Sequence, residues 1–183
     1  MRIVFLGPPG AGKGTQAVRL AKRLGVPHLS TGEMLREATR LGDPLADRAA
    51  EYMRAGRLVP TEIVQHLVDV RISQPDCAGG YLLDGFPRTV EQAEDFDRLL
   101  AANGSAIDRV VSLSVPEAVL LDRLSGRGRQ DDAANVVRER LRQYDELTSP
   151  LVDYYRKRGV LSEVEGLGTQ DEVFARIIAI VQR

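Results

Sequence analysis

The sequence GPPGAGKGT at residues 7–15 directly follows a short apolar run, IVFL, at residues 3–6. Glycines between a buried strand and a helix leave backbone N–H groups uncovered and permit positive φ, so this loop can wrap a polyphosphate that Lys13 also reaches. The pattern departs from G-x-x-x-x-G-K-[ST], because Gly14 follows the lysine and the hydroxyl comes at Thr15. The stretch predicts a nucleotide phosphate site, with an ordinary glycine-rich turn as the alternative.

The composition is typical of one globular domain without a strong overall charge. The chain has 183 residues and a formal net charge of -1, which gives no indication of nucleic-acid binding. Cys77 is the only cysteine, so an internal disulfide or a cysteine metal site cannot form and a reducing compartment is favoured. No apolar stretch approaches the length of a membrane span, and Met1 leads directly into the first strand. We expect a soluble, cytoplasmic protein that binds no membrane.

Apolar runs of strand length alternate with longer stretches of helical period, which predicts βαβ units and a parallel sheet. The predicted strands are residues 2–6, 81–83, 110–115 and 160–164, with a weaker candidate at 26–29. The predicted helices are residues 16–24, 31–41, 44–55, 61–73, 90–102, 116–124, 133–157 and 169–181. Thr31, Thr61 and Thr169 precede acidic residues and are predicted helix caps. Residues 42–60 and 125–133 interrupt this order and are predicted to be insertions on a rigid sheet.

A carboxylate follows the predicted strand at residues 81–83. Asp84 would lie at the C-terminal edge of a parallel sheet, where ligands bind, and next to the phosphate loop. With Thr15 it is a candidate Mg²⁺ partner, acting on the ion or on its waters. The alternative is a turn or capping aspartate before Gly85.

Arginines supply a second signal for an anion site. Arg36, Arg88, Arg123, Arg127, Arg129 and Arg140 lie in segments that can converge on one cleft. At about 100° per residue, one helical stripe contains Val137, Leu141, Tyr144, Thr148, Leu151 and Tyr155. Arg140 falls at the margin of this stripe, and a guanidinium on the core side needs an anionic partner. Arg123 and Arg127 are four residues apart and would repel each other unless an anion lies between them. For any single arginine, a structural ion pair is the alternative.

Five motifs in order resemble the adenylate kinase family over essentially the whole chain. They are residues 7–16, LSTGEMLR at 29–36, DGFPRT at 84–89, GRGR at 126–129 and the helix of Arg140. The resemblance implies a P-loop three-layer α/β/α fold with a five-stranded parallel sheet, a helical AMP-binding subdomain and a short lid loop. It also implies reversible, Mg²⁺-dependent transfer of the γ-phosphoryl group of ATP to AMP, giving two ADP.

The resemblance also implies residue roles. ATP-binding positions would be Gly10, Ala11, Gly12, Lys13, Gly14, Thr15, Arg127 and Gly168. AMP-binding positions would be Thr31, Arg36, Arg57, Leu58, Val59, Gly85, Phe86, Pro87, Arg88, Gln92, Arg129 and Arg140. The catalytic set would be Lys13, Arg88, Arg123, Arg129 and Arg140. Within it, Arg123 would bridge the transferring phosphate, and Arg129 and Arg140 would act on the AMP side.

The same resemblance implies a single domain with two smaller parts. The core would comprise residues 1–29, 60–125 and 133–183, the AMP-binding subdomain residues 30–59, and the lid residues 126–132. Many bacterial relatives have a long lid, often with four zinc-binding cysteines, whereas this lid is the short form. We expect no zinc site in it.

Two other functions compete with this interpretation. A UMP/CMP kinase also has a phosphate loop and a short lid, but Thr31 and Gln92 offer a hydroxyl and a carboxamide that can read a purine edge. A nucleotide-dependent switch would use the phosphate loop without acceptor-side arginines, and the N-K-x-D element of guanine-specific switches is absent from the sequence. We expect a monomer, because no large apolar helical face is left after the sheet is covered.

Overall fold

The structure, a computed structural model, describes residues 1–125 and 133–182. In this part of the chain, five parallel strands form one sheet in the order β2-β3-β1-β4-β5. The strands are β1 (Arg2–Leu6), β2 (His28–Ser30), β3 (Tyr81–Asp84), β4 (Arg109–Ser114) and β5 (Leu161–Glu165). The predicted sheet is confirmed, including its weakest strand.

Helices connect the strands and cover both faces of the sheet. Their bounds are α1 (Lys13–Leu24), α2 (Thr31–Arg40), α3 (Pro44–Arg54), α4 (Thr61–Ile72), α5 (Val90–Ala102), α6 (Glu117–Ser125), α7 (Ala134–Gln143), α8 (Pro150–Lys157) and α9 (Gln170–Val181). A short 3₁₀ turn, Pro75–Cys77, precedes β3. Most predicted helices agree with these bounds within a few residues.

The central strand β1 shows why the fold has three layers. Successive side chains of a strand point to opposite faces of the sheet. Val4 and Leu6 pack in one apolar cluster with α2, α3, α4, α5 and α8. Ile3 and Phe5 pack in a second cluster with α1, α6, α7 and α9. Both faces are therefore buried, as is usual for a parallel sheet between two helical layers.

One predicted helix, residues 133–157, is wrong as a single regular helix. A π-helical segment, Tyr144–Thr148, separates α7 from α8. At its end the Ser149 N–H donates to the Tyr144 carbonyl at 2.8 Å. Pro150 follows and has no N–H to donate. The π-helical turn therefore lies where a regular α-helix would already lose a backbone hydrogen bond.

The three threonines predicted as caps behave differently. Thr169 caps α9, since its hydroxyl accepts from the Glu172 N–H while the Glu172 carboxylate accepts from the Thr169 N–H. Thr31 and Thr61 are instead the first residues of α2 and α4, so the cap prediction is wrong for both. Their hydroxyls hydrogen-bond distant parts of the chain, as described below.

The order of the strands in the sheet determines where the candidate site lies. β1 lies between β3 and β4, and the chain reaches β2 and β3 on one side of β1 before crossing to β4 on the other. Such a reversal opens a crevice at the C-terminal ends of the strands. The phosphate loop follows β1 at this edge. The predicted lid, residues 126–132 with Arg127 and Arg129, lies outside the described residues.

Among the residues that the structure describes, no helix combines the length and the apolar character needed to cross a bilayer.

Candidate active site

The phosphate loop leads from β1 into the first turn of α1. Gly10 has φ 85°, and a Cβ there would lie 3.0 Å from the Leu124 Cγ and 3.1 Å from the Leu120 carbonyl. Helix α6 therefore leaves no room for a side chain at this position. The Lys13 ammonium donates to the Gly7 carbonyl at 2.6 Å and to the Pro8 carbonyl at 2.9 Å. Because Lys13 also begins α1, its charge and the helix N-terminus act together on an anion.

Asp84 ends β3 beside this loop. Its Oδ2 would lie 3.5 Å from a Cβ at Gly14 and is 3.7 Å from the His28 Nε2. Burial by itself raises the pKa of the Asp84 carboxyl, but His28 and the charges of Lys13 and Arg88 outweigh burial and hold this pKa below its ordinary value. The side chain is therefore an ionised carboxylate at neutral pH, 13% exposed and beside the phosphate loop.

The turn after β3 brings together, at Gly85, several residues that were predicted to bind AMP. Its φ is 90°, and a Cβ there would lie 2.7 Å from the Thr31 Oγ1 and 3.1 Å from an Arg88 Nη2. The Arg88 Nε donates to the Gly85 carbonyl at 2.7 Å, and the Thr31 hydroxyl donates to the Asp84 carbonyl at 3.4 Å. Glycine is needed here because two polar side chains cover the backbone where a third would project.

Gln92 holds the same turn from α5. Its Oε1 accepts from the Arg88 N–H at 2.8 Å, and its Nε2 donates to the Thr61 Oγ1 at 3.2 Å. The side chain is 3% exposed. These two bonds fix the orientation of the carboxamide, because a backbone N–H can only donate.

Helix α7 and the π-helical segment form another wall of the site. Arg140 is half-buried at the margin of the apolar stripe, as predicted, and its neighbours Arg138 and Arg142 are exposed. A Cβ at Gly56 would lie 2.8 Å from the Val136 carbonyl and 3.2 Å from the Arg140 Cγ. Residue 56 therefore packs closely against α7, directly beside Arg140.

The loop from β5 to α9 is held by three hydrogen bonds from two arginines. The Arg123 Nη2 donates to the Gly166 carbonyl at 3.1 Å, and the Arg176 Nη1 donates to the Glu165 and Leu167 carbonyls at 2.7 Å each. Gly168 has φ 102°, and a Cβ there would lie 2.5 Å from a Glu172 carboxylate oxygen. The backbone of this loop is thus fixed at the edge of the cavity.

These elements enclose one cavity of about 720 Å³. Its lining includes these residues predicted for the site: Gly10, Ala11, Gly12, Lys13, Gly14, Thr15, Thr31, Arg36, Arg57, Leu58, Val59, Asp84, Gly85, Pro87, Arg88, Gln92, Arg123, Arg140 and Gly168. Phe86 differs. Its side chain is 1% exposed and packs edge-on against the Phe96 ring, so it belongs to the apolar core and not to the lining.

A sequence model of the adenylate kinase family matches residues 5–160 of this chain. The chain belongs to the adenylate kinase family. It is similar to the adenylate kinase of Mycobacterium tuberculosis, with 49% identity over 178 residues and 97% of each chain covered. The adenylate kinase of Stenotrophomonas maltophilia is 47% identical over 186 residues and 100% of both chains, and that of Mycolicibacterium smegmatis is 50% identical over 179 residues and 98% of both.

Adenylate kinases are ATP:AMP phosphotransferases, and membership implies ATP, AMP and ADP as substrates. A pyrimidine-directed kinase finds no support among these comparisons. The described cavity brings the phosphate loop and the residues that were predicted to bind AMP to the same opening.

Sequence reasoning missed several residues that line this adenylate kinase cavity. Among them are Gln16, on α1, and Thr148, in the π-helical segment. Both are polar residues on an otherwise apolar helical face, a pattern that could have identified them. The Thr148 hydroxyl donates to the Arg88 carbonyl at 2.9 Å, so it helps to hold the turn after β3.

Proposed function

We propose that ATP binds at the phosphate-loop end of the cavity and AMP at the end formed by Thr31, Arg36 and Arg88. One observation carries this placement most directly. Lys13, on the donor side, and Arg88, on the acceptor side, both lie close enough to Asp84 to lower the pKa of its carboxyl. Both cations therefore act on the Asp84 carboxylate, and we place the meeting point of the two nucleotides' phosphates beside it.

Residues 30–59 are the proposed AMP-binding subdomain. They contain α2 and α3 and supply part of the cavity lining, namely Thr31, Arg36, Arg57, Leu58 and Val59. The close packing of Gly56 on α7 supports a role for this segment in bringing Arg140 to the AMP phosphate. Arg127 and Arg129 keep the lid roles that the family resemblance implies.

Phosphoryl transfer here needs positioning and charge neutralisation more than proton transfer. The acceptor oxygen of AMP is already ionised, so no general base is required. Lys13 and the arginines stabilise the negative charge that spreads over the transferring group. Closing the arginines around both nucleotides also excludes water, which would otherwise hydrolyse ATP.

Mg²⁺ is the proposed cofactor, and the residues fit it. Mg²⁺ prefers oxygen ligands and is commonly held by one or two carboxylates together with substrate phosphates and waters. Asp84 offers a partly exposed, ionised carboxylate next to the phosphate loop, and Thr15 offers an exposed hydroxyl on the cavity wall. When bound, the ion neutralises phosphate charge. Asp84 would orient it, directly or through its waters.

Asp84→Asn should raise the Mg²⁺ concentration that gives half-maximal activity by about 10- to 100-fold, the usual effect of losing a supporting metal ligand. The amide keeps the shape of the side chain but loses the charge. Rates measured over a Mg²⁺ titration at fixed ATP and AMP would show this shift. Asp108→Asn, an exposed aspartate at the opposite edge of the sheet, is the matched control. Superimposable titration curves for Asp84→Asn and the wild type would contradict the assignment.

The acceptor is tested by measuring ADP formation from ATP with AMP, CMP, UMP or GMP. We expect the highest kcat/KM with AMP, since Thr31 and Gln92 line the acceptor end as a hydroxyl and a carboxamide. A higher kcat/KM with CMP or UMP would refute the preference. A protein that binds one nucleotide and transfers nothing would instead be a switch.

We also propose a cytoplasmic monomer. The large exposed apolar side chains that the structure describes come from six separate segments, at Met1, Val18, Leu41, Val70, Leu121 and Leu147. Scattered residues of this kind are ordinary on a monomer surface. Sedimentation at micromolar concentration should give the mass of one chain, and a stable dimer would overturn this proposal.

A further inference from the structure

Thr148 is a buried polar residue in the π-helical segment between α7 and α8. It is 7% exposed, and its hydroxyl donates to the Arg88 carbonyl at 2.9 Å. Threonine forms helices poorly, and an apolar residue would fill the same space, so neither helix formation nor packing accounts for the hydroxyl. The bond ends on the backbone of Arg88. Thr148 can therefore act on this arginine without touching a phosphate itself.

A chain of hydrogen bonds joins Thr148 to Arg140. The Arg140 carbonyl accepts from the Tyr144 N–H at the end of α7. The Tyr144 carbonyl accepts in turn from the Ser149 N–H at 2.8 Å, which closes the π-helical turn around Thr148. The bond from Thr148 to Arg88 therefore connects the helix that carries Arg140 with the turn after β3.

The extra residue of the π-helical turn brings Thr148 to the side of α7 that carries Arg140. In a regular helix, the eight residues from Arg140 to Thr148 would advance about 800°, which leaves their side chains about 80° apart around the axis. A π-helical bond spans five residues where a regular bond spans four, so the same advance corresponds to about seven regular residues, or about 700°. Thr148 then lies within about 20° of Arg140 around the axis. Both residues line the cavity.

Other bonds of Arg88 set the local shape of its turn. Its N–H donates to the Gln92 Oε1 at 2.8 Å, and its Nε donates to the Gly85 carbonyl at 2.7 Å. Both partners belong to the turn itself or to α5, so these two bonds do not fix the distance between the turn and α7. The bond from Thr148 joins the two elements directly.

We propose that Thr148 is a positioning residue that sets the separation of Arg88 and Arg140, so that both guanidiniums reach the acceptor phosphate together. The proposal rests on the placement of AMP at this end of the cavity. Two guanidiniums hold one phosphate only when both are at hydrogen-bond distance, and a misplacement of about 1 Å can cost about 10²-fold in rate. Thr148 touches neither nucleotide and acts through the backbone of Arg88.

The test begins with Thr148→Val, which removes the hydroxyl at nearly constant volume. It should lower kcat/KM for AMP about tenfold, the effect of one hydrogen bond worth about 1.4 kcal/mol, and leave the KM for ATP unchanged. Thr148→Ser keeps the donor and should restore most of kcat/KM for AMP. Initial rates at varied AMP and saturating ATP measure both variants. If Thr148→Val does not fold, Thr148→Ala removes the same hydroxyl and takes its place.

Ser149→Ala is the matched structural control. The Ser149 hydroxyl donates to the Asp145 carbonyl at 2.7 Å within the same π-helical segment, so this variant weakens the segment without touching Arg88. It should keep the AMP kinetics of the wild type. A loss in Ser149→Ala equal to that in Thr148→Val would show that the segment as a whole is responsible, which would overturn the proposal.

A double variant shows whether Thr148 acts through Arg88. When Arg88→Ala has already removed the guanidinium, adding Thr148→Val should lower kcat/KM for AMP by a smaller factor than it does alone, because the two changes remove one shared function. An equal factor in both backgrounds, or unchanged AMP kinetics in Thr148→Val, would overturn the proposal. Unchanged AMP kinetics in Arg88→Ala itself would instead refute the placement of AMP.

Discussion

Lys13→Met should lower kcat by a factor on the order of 10² to 10³, the usual effect of removing one donor that stabilises transition-state charge. The Lys13 ammonium is held across the phosphate loop by the Gly7 and Pro8 carbonyls, at the N-terminus of α1. Methionine keeps the length of the side chain and removes the charge. A coupled assay of ADP formation at saturating ATP, AMP and Mg²⁺ measures this loss.

Lys22→Met is the matched control, since Lys22 is exposed in the last turn of the same helix. It should keep the kcat of the wild type. Thermal unfolding of both variants separates loss of charge from loss of fold, because Lys13→Met also leaves two carbonyls without their donor. A folded Lys13→Met enzyme with kcat within threefold of the wild type would place the reaction centre elsewhere.

Much of the fold was predictable because the local signals agree with the global structure. The apolar strand at residues 3–6, the glycines that follow it and Lys13 fix the start of the sheet and the phosphate loop together. The arginine on the core margin of its helix, Arg140, was also predictable from helical periodicity, and the structure has it on the cavity wall.

The features that were not predictable depend on partners distant in sequence. The hydroxyls of Thr31 and Thr61 are typical caps by position, yet tertiary contacts to Asp84 and Gln92 use them instead. Residues 133–157 differ, because the break there is local: Pro150 is a helix-breaking signal in the sequence, and the wider turn is closed by the bond from Ser149 to Tyr144, five residues apart. Hydrophobic periodicity predicts which face of a helix is buried. It does not predict which group a polar side chain on that face hydrogen-bonds.

Phe86 shows a related limit. The motif DGFPRT marks the acceptor end as a unit, yet its members divide between two environments in the structure. Arg88 is exposed on the cavity side, whereas the Phe86 ring packs on Phe96 in the core. A motif therefore locates a site more reliably than it assigns a role to each residue within it.

Arg88→Ala should lower kcat/KM for AMP by a factor on the order of 10² to 10³. The Arg88 Nε donates to the Gly85 carbonyl. The backbone N–H of Arg88 donates to the Gln92 side chain, and its backbone carbonyl accepts from the Thr148 hydroxyl. We expect this support to orient the planar guanidinium for two parallel hydrogen bonds to the AMP phosphate, a preorganisation that is lost with the side chain. Initial rates at varied AMP and saturating ATP measure the change.

Two further variants show whether charge or geometry matters at this position. Arg88→Lys keeps the positive charge but not the planar fork, so its kcat/KM for AMP should stay well below the wild type. Arg98→Ala, an exposed arginine on α5 that pairs with Asp95, should leave the kinetics unchanged. If Arg88→Ala kept the AMP kinetics of Arg98→Ala, the AMP phosphate would not bind at the turn after β3, and the acceptor end of the cavity would need another occupant.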